Sequence, residues 1–137
     1  MNCIIINDEP IVRQAIKILI HKTQNLVLLS SFDNDVDASK FMQNNVVDLV
    51  FFDILTSEIN GVEFAKTIPQ EIFVIFYNSL CVFDVKNSEV DAIDYLVKPI
   101  KSERFQRGIA KAEVYFKLLE KGDINTTIQI TDDYFVI

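Results

Sequence analysis

Short apolar runs alternate along the chain with stretches whose apolar residues recur every three to four positions. Cys3-Ile4-Ile5-Ile6 reads as a first strand. Pro10 suits the first turn of a helix, where its missing N–H costs nothing. Ile11, Ala15, Ile18 and Leu19 follow at helical spacing, with Val12 and Ile16 widening the stripe. Leu26–Leu29 reads as a second strand, and Asp33, Asn34 and Asp35 offer capping oxygens to a helix bearing Val36, Ala38, Phe41 and Met42. Leu49–Phe52 is a third strand, apolar without alternation, as expected of a strand covered on both faces. After a loop, Val62, Ala65 and Ile68 mark a short helix that Pro69 ends. Ile72–Phe76 is a fourth strand, Val82–Glu89 a weak helix and Ile93–Val97 a fifth strand. A long final helix spans Ser102–Lys121 with Phe105, Ile109, Ala112, Phe116 and Leu119 on one face, Ser102 as its cap and Gly122 as its stop.

Strands alternating with helices predict an α/β fold: a doubly wound, five-stranded parallel sheet with helices on both faces. Right-handed crossovers leave few topologies, of which the flavodoxin-like order 2-1-3-4-5 is the common one for five strands. That order makes the first and third strands neighbours at the switch point, which brings Asp8 and Asp53 together. The tail changes character. Ile128-Gln129-Ile130 alternates, Asp132-Asp133 can turn, and Tyr134-Phe135-Val136-Ile137 is strand-like. A hairpin alone is rarely stable in water, so the expected division is a domain over 1–121, followed over 122–137 by a linker and the truncated start of a β-rich unit.

A length of 137 residues, 50% of them hydrophobic, fits one domain with a substantial core. The formal net charge of −7 argues against nonspecific nucleic-acid binding by this stretch and is compatible with a bound cation. Cys3 and Cys81 form no C-x-x-C pair, so the expectation is two small apolar side chains in a reducing cytosol. Met1 leads straight into a strand with no signal pattern, and no apolar run reaches membrane-spanning length.

The candidate chemistry sits at three strand ends: Asn7-Asp8-Glu9 after the first, Asp53 after the third and Lys98-Pro99 after the fifth. A carboxylate at the mouth of a buried strand is costly unless paired or metal-bound. Two such acids and a lysine suit a magnesium-dependent phosphoryl acceptor, because Mg²⁺ takes hard oxygen ligands and a carboxylate can attack phosphorus. Taken singly, each feature has a plainer meaning. Asp8 and Glu9 could cap the first helix, Tyr95 could be strand packing, and His21 could interact with a helix end. A flavin carrier or a small hydrolase is disfavoured: there are only three glycines, no Gly-rich cradle follows the first strand, and His21 is the sole histidine.

Asn7-Asp8-Glu9-Pro10, Asp53-Ile54 with Asn60-Gly61, and Asp94-Tyr95-Leu96-Val97-Lys98-Pro99 together resemble the receiver domain of two-component response regulators over roughly Met1 to Lys121. The Asp-Glu-Pro opening, the stretch ending Lys98-Pro99 and the following Glu103-Arg104-Phe105 look most like the LytTR branch, whose members carry a β-rich DNA-binding domain after the receiver. The resemblance implies Asp53 as phosphoryl acceptor, with Mg²⁺ on Asp8, Asp53 and the backbone carbonyl of Leu55. It implies Lys98 and Asn78 as phosphoryl contacts and Tyr95 as the switch aromatic, with Asn7 and Glu9 as neighbours in the acidic cluster. It further implies a cytoplasmic signalling protein, not an enzyme beyond its own phosphorylation and dephosphorylation. Its partners would be a sensor histidine kinase and a second copy on activation, with DNA reached only through the output domain and no membrane. Three residues depart from the pattern: Asn7 stands where an acid is usual, Asn78 where Thr or Ser is usual, and Ser57 where proline is usual. Asn7 and Asn78 motivate the alternative of a phosphorylation-independent interaction or dimerisation module.

Overall fold

The computed structural model describes residues 1–53, 64, 66–78, 94–97 and 100–120, with backbone alone at 53, 78, 95, 97 and 120. In chain order the elements are β1 (Asn2–Ile6), α1 (Pro10–His21), β2 (Val27–Phe32), α2 (Asp35–Asn44), β3 (Leu49–Asp53), β4 (Phe73–Asn78), β5 (Asp94–Val97) and α3 (Ser102–Glu120). The five strands form one parallel sheet in the order β2-β1-β3-β4-β5. The predicted class, order and switch point therefore hold. The expected short helix is described at Phe64 and Lys66 only. Val62, Ala65, the weak helix over 82–89, Gly122 and the tail over 126–137 lie outside the described residues.

Apolar side chains seal both faces of the sheet. On one face Ile16 and Ile20 of α1 and Phe105, Ile109, Ala112 and Tyr115 of α3 pack on Cys3, Ile5, Leu49, Phe51 and Ile75. On the other, Ala38 of α2, Phe64 and Ile68 cover Ile4, Ile6, Val50, Phe52 and Phe76. Two-sided burial is why β1 and β3 lack a polar alternation. Asn34 caps α2: its side-chain oxygen accepts from the Asp37 N–H at 2.8 Å.

The structure corrects several expectations. In α1 the inward stripe is Val12, Ile16, Leu19 and Ile20, whereas Ile11 is 83% exposed, Ile18 46%, and Ala15 faces solvent. Apolar residues occupy so much of this helix that spacing alone permits two stripes, and the sheet selects the one containing Ile20. β2 runs on from Val27 to Phe32 instead of ending at Leu29. Its pairing slips, since Cys3 and Ile4 oppose Leu28 and Ser30, which leaves Leu29 as an extra, bulged residue. A bulge on an outer strand locally breaks the ladder and discourages pairing with another chain. In α3, Ser102 is the first helical residue rather than the cap, and Tyr115 joins the buried face alongside the partly buried Phe116 and Leu119.

β5 is fastened to α3 by a buried ionic contact. Asp94 is 4% exposed and receives both guanidinium nitrogens of Arg104 at 2.6 Å, with Lys111 Nζ at 3.8 Å. Gly108 makes room for it, because a Cβ there would lie 2.9 Å from Asp94 Oδ2. Gly108→Ala normally gains about 0.5–1 kcal/mol in a helix. Here it is expected to destabilise by about 1–3 kcal/mol, the cost of overpacking, as read by urea unfolding. The loss should shrink in an Asp94→Ala background, where the clash is gone.

Burial of Cys3 pushes its thiol up from 9.0 to about 12. The folded chain then keeps a proton that the unfolded chain releases. The resulting stabilisation is complete below pH 9.0 and is lost as pH rises towards about 12. Urea unfolding across that interval should show a stability decline in the wild type that is smaller in Cys3→Ala.

Candidate functional site

Register sets the site. Ile6 on β1 opposes Phe52 on β3, which opposes Phe76 on β4, which opposes Tyr95 on β5. One residue further along the strands come Asn7, Asp53, Tyr77 and Leu96, and one further still Asp8, Asn78 and Val97. Adjacent strands lie about 4.8 Å apart. Asp8 and Asp53 therefore stand at neighbouring strand ends although 45 positions separate them in sequence (53 − 8). Asp53 and Asn78 are the last residues of β3 and β4, and Tyr95 is the second of β5. Leu55 and Lys98 lie outside the described residues, as do Ser57, Asn60 and Gly61.

The turn after β1 is tightly built. Asn7 is fully buried. Its N–H donates to the Phe32 carbonyl at 2.9 Å, which ties the turn to β2. Its side-chain Oδ1 accepts from the Glu9 N–H at 2.6 Å, and its own carbonyl accepts from Arg13 Nη1 at 2.6 Å. Arg13 belongs to α1, where its N–H donates to the Glu9 carbonyl at 3.1 Å in the first helical turn. Asp8 is half-buried and Glu9 exposed. Glu9 occupies the N-cap position yet makes no side-chain capping bond. Helix capping therefore does not account for Glu9.

Below this turn, Tyr77 is fully buried and its hydroxyl donates to the Ile6 carbonyl at 3.4 Å, reaching across β3 from β4 to β1. Sequence reasoning missed both Tyr77 and Arg13. Tyr77 sits inside the apolar run of β4 and reads as core. Arg13 lies three positions beyond the proline, and only its 2.6 Å bond to Asn7 reveals a role at the turn.

As a donor set, these residues suit Mg²⁺. It accepts one or two carboxylates and keeps several waters, and the adjoining ends of β1 and β3 bring two residues of that type, Asp8 and Asp53, to neighbouring strands. Among the described residues, no three His, Cys, Asp or Glu side chains converge on a closed metal cage. An open magnesium site does not need one.

The sequence matches the family described as response regulator receiver domain over residues 3–110. It is 32% identical over 148 aligned positions to the transcriptional regulatory protein YpdB of Escherichia coli (strain K12), a match covering 100% of this chain and 61% of that protein. It is 29% identical to the sensory transduction protein LytR of Staphylococcus haemolyticus over 116 positions, or 82% of this chain and 45% of LytR. The chain thus spans less than two thirds of either protein. The crystal structure of the response regulatory domain of protein MrkE from Klebsiella pneumoniae superposes with a TM-score of 0.75 at 29% identity, covering 85% of this chain and 98% of that one.

Removing the Asn7 side chain should loosen this turn. Asn7→Ala strands the Glu9 N–H and empties a buried position, and a loss of about 1–3 kcal/mol is expected. Thermal and urea unfolding measure it, with Asn7→Asp, which keeps the acceptor oxygen, as the milder comparison.

Proposed function

We propose, for a chain that belongs to the response regulator receiver domain family, that it takes a phosphoryl group from a sensor histidine kinase onto Asp53 and passes the change to a transcriptional output. The observation that carries this reading is the register of β1, β3 and β4, which sets Asp8, Asp53 and Asn78 at adjoining strand ends.

In this reading a carboxylate oxygen of Asp53 attacks phosphorus while the bond from phosphorus to the donor's imidazole nitrogen breaks. Such transfers need positioning and neutralisation of spreading charge more than covalent assistance. Asp8, Asp53 and the Leu55 carbonyl would hold Mg²⁺, which supplies that neutralisation when bound. Lys98 adds a compact positive charge for the phosphoryl oxygens. Asn78 can donate one hydrogen bond from its amide. Tyr95, on β5 beyond β4, is the aromatic positioned to respond, and the added charge biases a two-state element around it.

The output is proposed to be a LytTR-type DNA-binding domain beginning within 122–137, with 1–121 as the receiver. DNA would be contacted only through that domain, and a second copy of the chain would join on activation. A cytoplasmic location follows from this role; among the described residues no helix is long and apolar enough to cross a membrane. The chain is proposed to be a signalling acceptor that catalyses nothing beyond its own phosphorylation and dephosphorylation.

A second reading, a phosphorylation-independent interaction module, draws on the buried, turn-bracing role of Asn7. Intact-protein mass after incubation with Mg²⁺ and acetyl phosphate separates the two. The expected result is one added phosphoryl group in the wild type and none in Asp53→Asn. No gain in folded wild type would favour the second reading, and equal gain in Asp53→Asn would remove Asp53 as acceptor. Asn78→Thr is expected to phosphorylate faster than wild type, by about tenfold if the shorter hydroxyl makes a stronger hydrogen bond to the transferring group than the Asn78 amide does.

A further inference from the structure

The turn after β1 carries a feature that the acceptor reading leaves unused. Arg13 reaches back from α1 and places its guanidinium 2.6 Å from the carbonyl of Asn7, the residue that precedes Asp8. The side chain is half-buried and anchored by this bond. An arginine stays charged under all ordinary conditions, and a partly buried charge is screened less than one in open solvent.

Asn7 changes what that charge does. A carboxylate at position 7 would sit in the same turn as Arg13 and offset it. The amide carries no charge, and its oxygen serves the Glu9 N–H. The formal charge at the turn and acceptor is therefore three acids, Asp8, Glu9 and Asp53, against Arg13, before Lys98 is counted. A divalent cation entering this site meets less attraction than the acids alone would give, and its double charge doubles the repulsion from Arg13.

Resting on the acceptor reading above, we infer that Arg13 is the residue that sets the site's affinity for a divalent cation. It holds Mg²⁺ binding weak by its charge and supplies in advance part of the neutralisation the cation would otherwise provide. Arg13 touches no reacting atom. It is a positioning and affinity-setting residue anchored through the Asn7 carbonyl.

Charge and geometry make opposite predictions. Were Arg13 only a brace for the turn, losing it would loosen Asp8 and weaken Mg²⁺ binding. As a fixed cation, its loss tightens binding. Titration calorimetry with MgCl₂ alone, on the full 137-residue chain, compares wild type with Arg13→Gln, Arg13→Lys and Asn7→Asp. Arg13→Gln is expected to bind Mg²⁺ about three- to tenfold more tightly at low ionic strength, the scale of one partly screened charge. Arg13→Lys, which keeps the charge and loses the fork, should stay within about twofold of wild type. The gap between Gln and wild type should close as NaCl is raised. Asn7→Asp should tighten binding as well.

Thermal unfolding checks each fold, and Arg13→Met replaces Arg13→Gln should the latter unfold. Weaker or unchanged binding in Arg13→Gln overturns the inference, and so does Arg13→Lys behaving like Arg13→Gln. Absence of Mg²⁺ binding in every variant, Asn7→Asp included, overturns the acceptor reading and this inference together.

Discussion

A parallel register that sets Ile6 beside Phe52 and Phe52 beside Phe76, in a sheet sealed on both faces, is the constraint on which everything else rests. Sealing both faces leaves a polar residue few places to go, because an unsatisfied polar group in the interior costs several kcal/mol. Polar chemistry is pushed to the strand ends. The crossover order then decides which ends meet, and the order β2-β1-β3 joins the ends of β1 and β3. The acids are close because the apolar runs before them are locked side by side.

The two buried polar residues among those described, Asn7 and Asp94, show how that cost is met. Asp94 lies at the start of β5, far from the acidic turn along the strand direction. It is satisfied by a fork of two 2.6 Å bonds from Arg104 and by an absent side chain at Gly108. Truncating either ionic partner would leave charge stranded, which is why such contacts are costly to break even where they add little net stability. Asn7 is satisfied from three elements: its N–H donates to Phe32 of β2, its side-chain oxygen accepts from the Glu9 N–H of the turn, and its carbonyl accepts from Arg13 of α1. One buried polar residue fixes β5 to α3, and the other shapes the entrance to the site.

Strand identity, sheet order and the adjacency of the strands that lead to Asp8 and Asp53 were legible in the sequence because they follow from apolar runs and crossover handedness, which leave few alternatives. The inner face of α1 was not. Ile11, Ala15 and Ile18 obey helical spacing as well as Val12, Ile16 and Ile20 do, and only the docked geometry separates the two sets. The bulge at Leu29 was hidden because a one-residue slip leaves no mark in composition. Tyr77, Tyr115 and Arg13 were missed for a shared reason: their roles depend on reach across the fold, from β4 to β1 or from α1 back to the turn, and local pattern carries no information about reach.

Asn7 shows that fold and chemistry can be separated at a single position. An amide and a carboxylate of the same shape both accept a hydrogen bond from the Glu9 N–H, so either can close this turn. They differ in charge and in the two N–H donors that only the amide carries. The turn that places Asp8 would survive the exchange, while the electrostatic character of the site would not. With an amide at position 7 the turn carries one negative charge fewer than an acid there would give, while the Arg13 guanidinium still lies 2.6 Å from the Asn7 carbonyl. The sheet fixes where the acids stand; the turn and the helix behind it add the Asn7 amide and the Arg13 guanidinium at the end of β1.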